Sequence, residues 1–427
     1  MQTLAPTRVN VLVFPCGSEN AGEIYDALQY SLHVKLYGAS SVDDHGRYRF
    51  KNYRSLPNIV DHDFTKAFSE LISHYKINIV FATHDTVMAF LAPLQEAMGF
   101  YLVNGDAASA ALVRKKSATY LLFSNEGWCP KVYFRPSEIV EWPVIFKPDE
   151  GQGGQGVVLV QNANDAVALS ERADLIAVEY LPGAEITVDC FTDKSREVIW
   201  IGPRTRERIK SGISMRSQIV PLTAEIRDIA IDINRDVKMR GPWFFQLKED
   251  KEGKWKLLEV CCRVAGTMVA QRAHGVNLPL MAVLDFLGRS LVTATNDSVT
   301  LIDRSIQTRA EIKYQYDTVF VDLDDTLIID GAVVPSVIAF IYQSIADKKK
   351  IKLITRHAYD VWETLLRNKI SSNLFDEIIN VRDGAPKSKY INRRCIFIDN
   401  HFPERLEVKR ELGIPVFDVD ALQFFLR

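Results

Sequence analysis

The segment VIFKPDEGQGGQGVVLV, Val144 to Val160, carries Gly151, Gly153 and Gly156 at the spacing GxGxxG. In a dinucleotide-binding unit that spacing follows a strand and opens a helix, because the pyrophosphate rests on the helix N-terminus. Here VVLV follows, a run of strand composition. The local reading is therefore strand, glycine loop, strand: a hairpin lid. Glycines let backbone N–H groups approach phosphate oxygens and let such a lid open at small conformational cost. A plain glycine-rich turn is the alternative, and a kinase loop is disfavoured because no HRD or DFG element follows.

On the N-terminal side the chain alternates strands and helices. VNVLVFPCGS (9–18) reads as a buried strand, NAGEIYDALQYS after it has helical spacing, and VKLYGAS, INIVFATHD and FYLVNGD are further short apolar runs ending in turn residues. Such alternation predicts a parallel sheet covered by helices, with ligands at the strand C-terminal ends. His84 and Asp85 close INIVFATHD at such an end, where a structural histidine is an equal alternative. From about residue 111 the texture changes to WPVIFKP, GVVLVQ, LIAVEYL, EITVDCF, VIWIGP, WFFQLKED and WKLLEV, predicting a mainly antiparallel sheet. Near residue 316 the strand and helix rhythm returns with DTVFVDLDDT, VIAFIYQSIADKKK, IKLITR, VWETLLRNK, CIFIDN and IPVFDV.

At 427 residues the chain can hold two or three domains, and 47% hydrophobic with 25% charged residues is ordinary globular composition. A net charge of -2 gives no electrostatic argument for a nucleic-acid or anionic-membrane partner, and neither is expected. The six cysteines form no CxxC pair, which points to reduced thiols and a cytoplasmic setting rather than a zinc site. No signal peptide or membrane span is read from the opening MQTLAPTRVNVLVF.

Several motifs in order give residues 1 to about 310 a resemblance to ATP-grasp enzymes, closest to the carbamoyl-phosphate-synthase-like branch of carboxylate-amine ligases. KKSATYLL is similar to the family's DKxxT segment, with Lys115 in place of the aspartate and Lys116 facing a nucleotide phosphate. FKP supplies Lys147 for the α and β phosphates, a lysine being a suitable point charge. Gly153 and Gly154 would line the lid. VEYLPGAE is similar to the adenine and ribose segment, with Glu179 and the backbone near Leu181 facing the base and Glu185 the ribose hydroxyls.

The resemblance also implies a magnesium site at Gln246 and Glu259, in FFQLKED and LLEVCCRVAGTM. Cys261 stands where the family has an asparagine, and a thiol is a poor magnesium ligand. Arg263 would face the transferring phosphoryl group or the acyl phosphate. In GPRTRERIKSGIS, alternation along an extended strand would put Arg204, Arg206 and Arg208 on one side as an anion site for substrate, or leave them as a solvated basic edge.

The tail resembles a haloacid-dehalogenase-type (HAD-like) phosphatase. VFVDLDDTLI (319–328) delivers Asp322 and Asp324 in the pattern DxDxT, followed in order by Thr355, Lys387 in GAPKSKY and Asp399 in CIFID. The resemblance implies Asp322 as nucleophile, Asp324 as general acid and base, Thr355 and Lys387 on the phosphate, and Asp322, Asp324 and Asp399 around Mg²⁺. Asn400 stands where a second acid is common. The intervals from Asp322 to Thr355 and from Thr355 to Lys387 are too short for a cap domain. An open site implies a large substrate or a covering neighbour.

The expected fold is α/β and α+β multidomain: a Rossmann-like pre-ATP-grasp domain over 1–110, an ATP-grasp domain over 111–312 and a capless HAD-like α/β domain over 313–427. The expected function is a bifunctional enzyme using ATP and Mg²⁺, joining a small carboxylate to an amine, either of them phosphorylated, and hydrolysing a phosphate ester. A homo-oligomer is compatible with this. Two alternatives stay open: a synthase that releases carbamoyl phosphate or another acyl phosphate, and a nucleotide-binding regulatory protein with a vestigial tail.

Overall fold

A computed structural model describes residues 8–151, 154–210 and 212–426. The chain divides into two units, one running to Ser305 and the other from Ile306.

In the first unit, β1 (Val9–Phe14), β2 (Val34–Ser40), β3 (Tyr53–Ser55), β4 (Ile79–Ala82) and β5 (Tyr101–Leu102) form a parallel sheet in the order β3-β2-β1-β4-β5. Its central strands are apolar on both faces because helices cover both. Leu12, Phe14 and Val80 pack with Phe64 and Phe68 on one side, and Val11, Val13 and Phe81 with Ile24 and Leu28 on the other. The helix Glu19–Leu28 starts where the Ser18 side chain accepts from the Ala21 N–H. Strand order reverses between β2 and β4 about β1, so the loops after β1 and β4 flank the crevice where such sheets hold ligands.

The hairpin lid is present. β6 (Val132–Tyr133), β7 (Val144–Pro148), β8 (Val158–Val160) and β9 (Leu175–Glu179) make an antiparallel sheet ordered β6-β9-β7-β8, with Val144 opposite Val160 and Phe146 opposite Val158. Then come β10 (Glu185–Thr192), β11 (Val198–Thr205), β12 (Arg208–Lys210), β13 (Ile213–Gln218), β14 (Gly241–Glu249), β15 (Trp255–Cys261) and β16 (Leu301–Asp303). They form an antiparallel sheet ordered β11-β10-β14-β15 and a smaller one ordered β12-β13-β16.

The hairpin texture read from the sequence passes over a helix at Ala224–Asp236. Thr223 caps it, and Ile226, Ile229, Ala230 and Ile233 recur at helical spacing and are buried. They share one core with Val188 and Phe245 of the antiparallel sheet and with Phe64 and Val80 of the parallel one. Residues on both sides of position 110 are thus packed into a single unit.

In the second unit, β17 (Thr318–Val321), β18 (Ile328–Ile329), β19 (Ala332–Val333), β20 (Lys350–Thr355), β21 (Glu377–Asn380), β22 (Cys395–Ile398) and β23 (Val416–Phe417) follow in chain order. Five are parallel in the order β21-β20-β17-β22-β23, and β18 and β19 form a small hairpin. The central β17 runs directly into Asp322 and β22 into Asp399, and β20 ends at Thr355, so one edge of the sheet collects all three. All six cysteines are free. Among the described residues no helix is long and apolar enough to cross a membrane.

Candidate active sites

The two larger antiparallel sheets of the first unit face a cavity of about 370 Å³. Lys116, Lys147, Gly151, Gly154, Glu179, Leu181, Glu185, Arg206, Gln246 and Glu259 all border it. Register explains the last two: Gln246 on β14 sits directly opposite Glu259 on β15, so both side chains leave the sheet on one face.

Lys147 is buried, and its Nζ donates to the Tyr120 hydroxyl at 2.7 Å; that hydroxyl in turn donates to the Leu258 carbonyl. Burial strips water from the ammonium and Lys116 repels it, so Lys147 is pushed down to about 7, with Glu259 and Glu185 acting in the opposite sense. Tyr120 is a site residue that the motif reading overlooked. It lies in KKSATYLL, and its place beneath Lys147 depends on the helix Lys116–Leu122 docking against β15.

That helix lacks a capping side chain at Lys115, where the resembled pattern has aspartate. Asp149, next to the lid, takes over: its carboxylate accepts from the Ser117 N–H and hydroxyl, each at 2.7 Å. Lys116 Nζ reaches the Asp149 and Gly151 carbonyls at 3.4 Å, at the lid's foot. Gly156 has φ +73, and a Cβ there would lie 2.9 Å from the Pro148 ring, so the lid needs glycine at that point. Gly153 lies outside the described residues. At the other end of the cavity Glu179 accepts from the Lys131 N–H at 2.8 Å, and Glu185 pairs with Arg206 at 2.6 Å.

The three arginines do not form one anion cluster, which corrects that expectation. Arg204 is 1% exposed and forks onto Asp189 at 2.7 and 3.2 Å inside the sheet. Arg206 alone borders the cavity. Arg208 belongs to β12, in the smaller sheet, and pairs with Asp303 at the surface. The physical reason is that β11 ends at Thr205, so the alternation that would align the three breaks before Arg208.

Arg263 reaches back to the parallel sheet and pairs with Asp85 at 2.7 and 3.2 Å. Asp85, with His84, Thr86, Arg114, Glu150, Gly151 and Gln155, lines a second cavity of about 430 Å³. Gly151 and Gln155 border both cavities, so the lid divides them. Burial raises the His84 cost of charging and lowers its pKa; Asp85 opposes this, while Arg263 and Arg114 add to it. Cys261 is buried in the core with Phe244 and Val264, and burial holds its thiol well above the usual range. It is a core side chain and does not border the cavity.

In the second unit, Lys387 Nζ bridges Asp322 at 2.8 Å and Asp399 at 2.7 Å, all three buried. Burial and the neighbouring Asp399 push the Asp322 carboxyl up to about 7, against the pull of Lys387. Thr326 links Asp322 to Asn400, at 3.4 and 3.3 Å. The Asp324 carboxylate, also expected at the metal, does not contact Asp322 or Asp399 here. It is held by His357 Nδ1 at 2.9 and 3.0 Å, because the turn after β20 brings that ring against it. Thr355 Oγ1 accepts from the His357 N–H at 3.2 Å. Among the described residues no three His, Cys, Asp or Glu side chains converge as a metal centre. Magnesium still fits the donors present, since Asp322, Asp399 and Asn400 are hard oxygen ligands and two buried carboxylates ionise together only beside added positive charge. In the first unit Gln246 and Glu259 are likewise oxygen donors beside a cavity with room for phosphate.

A lid hairpin, a four-stranded antiparallel sheet and a charged cavity between them make the first unit similar to an ATP-grasp domain. The family model described as ATP-grasp in the biosynthetic pathway with Ter operon matches residues 171–309. Among solved structures, N5-carboxyaminoimidazole synthetase from Staphylococcus aureus complexed with ADP superposes with TM-score 0.57 at 15% identity, over 69% of this chain and 82% of that one. The biotin carboxylase domain of Hydrogenobacter thermophilus 2-oxoglutarate carboxylase, bound to MgADP, ADP and bicarbonate, gives 0.54 at 16% identity, over 68% and 72%. An L-amino acid ligase from Bacillus licheniformis gives 0.53 at 15% identity, over 66% and 75%. At such identities the likeness is one of fold. No curated protein sequence matches the chain.

Proposed function

We propose that the first unit is an ATP- and Mg²⁺-dependent ligase that joins a small carboxylate to an amine, and that the second is a Mg²⁺-dependent phosphomonoesterase. The observation that carries the ligase reading is Gln246 placed opposite Glu259 in a cavity that also presents Lys116 and Lys147. Two oxygen donors facing two cations is the charge pattern that a metal-bound polyphosphate complements. The solved structures with this fold that hold MgADP or ADP add weight to the nucleotide.

The reaction is phosphorylation of a carboxylate to an acyl phosphate, then displacement of phosphate by an amine. Magnesium, when bound, neutralises the phosphate charge during transfer. Lys147 and Lys116 bind phosphate oxygens, Glu179 and the Leu181 backbone orient the base, and Glu185 accepts from the ribose hydroxyls. Gly154 gives the lid a backbone donor. Arg263 is held by Asp85, which lines the second cavity, where the acid and amine would meet. Arg206 supplies further positive charge.

In the second unit an oxygen of Asp322 attacks phosphorus, the P–O bond to the alcohol breaks, and Asp324 protonates the departing oxygen. Water then attacks the aspartyl phosphate, Asp324 takes its proton, and inorganic phosphate leaves with the Asp322 carboxylate restored. Thr355 and Lys387 hold phosphate oxygens, and Asp322 and Asp399 would hold the magnesium. The two activities act in sequence on a phosphorylated intermediate. The test is to supply Asp322→Asn protein with ATP, Mg²⁺ and candidate acids and amines, and to analyse the products by mass spectrometry. A phosphorylated condensation product should accumulate; ATP turnover without one sinks the sequential scheme, and no turnover sinks the ligase.

A further inference from the structure

His357 carries no role in the scheme above, yet it is fixed at four points. Its N–H donates to Thr355 Oγ1 at 3.2 Å, and its carbonyl accepts from Asn380 Nδ2 at 3.1 Å. Its ring spans two side chains: Nδ1 lies 2.9 and 3.0 Å from the oxygens of Asp324, and Nε2 lies 2.8 Å from Thr364 Oγ1. Thr364 is itself buried in the helix Val361–Arg367, which Asp360 caps. A carboxylate only accepts, so the hydrogen-bond network assigns the proton to Nδ1, and in the neutral ring Nε2 accepts from the Thr364 hydroxyl.

The direction of support is readable from burial. His357 and Thr364 are buried, whereas the Asp324 side chain is 52% exposed. Among the described residues no other side chain binds its carboxylate. A half-exposed carboxylate would otherwise sample several rotamers, and proton transfer to a leaving group demands one of them. The chain Thr364–His357–Asp324 therefore restrains the most exposed member of the set at the sheet edge.

We propose that His357 is the positioning residue for Asp324, and that Thr364 in turn orients His357. The inference rests on the phosphomonoesterase reading of the second unit. Its consequence is specific to the proton. An alkyl phosphate must have its departing oxygen protonated as the P–O bond breaks, whereas 4-nitrophenyl phosphate releases a stable phenolate unaided. A device that aims Asp324 matters for the first ester and hardly for the second.

The experiment compares kcat/KM, which reports formation of the aspartyl phosphate, for glycerol phosphate and 4-nitrophenyl phosphate on the full chain with Mg²⁺. His357→Ala should lower the alkyl value by about 10²-fold, the scale of a general acid, and the aryl value by less than about threefold. His357→Asn, which keeps an N–H donor near the Nδ1 position, should restore most of the alkyl rate. Thr364→Val, which keeps the imidazole but removes its Nε2 partner, should show the same selectivity at smaller amplitude, and serves as the test if His357→Ala fails to fold. Equal losses on both esters, or none on either, overturn the proposal. If the unaltered protein hydrolyses neither ester, the phosphatase reading falls first and this inference with it.

Discussion

Lys147 donates its hydrogen bond to the hydroxyl of Tyr120 at 2.7 Å, and neither side chain has meaningful access to solvent. A cation so placed is poised to lose its proton unless an anion arrives. With Lys147 held at about 7, ATP binding near about pH 8 should take up close to one proton, as the phosphates restore the charge. Calorimetric titration in buffers of different ionisation enthalpy measures this, and Lys147→Met should abolish it.

The same shift has a sign for stability. The folded value, about 7, lies below the ordinary 10.5, so between those limits the unfolded chain binds more protons and stability rises with pH. Below that window the cost of the buried charge is fully present. Lys147→Met should therefore raise the melting temperature of nucleotide-free protein more near about pH 6 than near about pH 10. An equal shift at both would show that the ammonium is not desolvated.

Arg204 and Arg208 come from one short segment and should behave oppositely. Arg204→Met strands the buried Asp189 carboxylate and should cost about 3–5 kcal/mol in urea unfolding. Arg208→Ala removes a surface pair with Asp303 and should cost less than about 1 kcal/mol.

Glu259→Ala removes the carboxylate that faces Gln246 and should lower Mg²⁺-dependent ATP turnover by about 10²-fold or more. Cys261→Asn, by contrast, places an amide in an apolar core and should lower stability by about 1–3 kcal/mol without a gain in turnover. A rise in turnover with Cys261→Asn would show that position 261 reaches the metal after all.

Asp322→Asn should abolish phosphate ester hydrolysis, by at least about 10⁴-fold, while ATP turnover by the first unit is kept. Loss of both activities together would mean that the two units do not work as separate catalysts.

Much of the architecture was readable because its signals are local. The strand composition of VIFKP and VVLV on either side of the glycines predicts the β7–β8 hairpin, and VFVDLDDT predicts a strand ending at Asp322. The helix Ala224–Asp236 was hidden because its polar face interrupts the apolar pattern between strong strands. Asp149 as the cap of a helix that begins 33 residues earlier was hidden too, since capping across the chain leaves no spacing to read. His357 stands two residues beyond Thr355, but nothing adjacent to it announces a carboxylate partner 33 positions away.

By itself the sequence determined where the main strands lie, where the glycine loop lies and which chemical groups exist to bind phosphate, because side-chain period and turn chemistry act between near neighbours. Only the tertiary structure decided that Arg204 is spent on Asp189 while Arg206 reaches the cavity, that Lys147 loses its water, and that Asp324 answers to His357. Charge, burial and hydrogen bonding depend on which distant segments meet, and that is settled by the packing of sheets rather than by order along the chain.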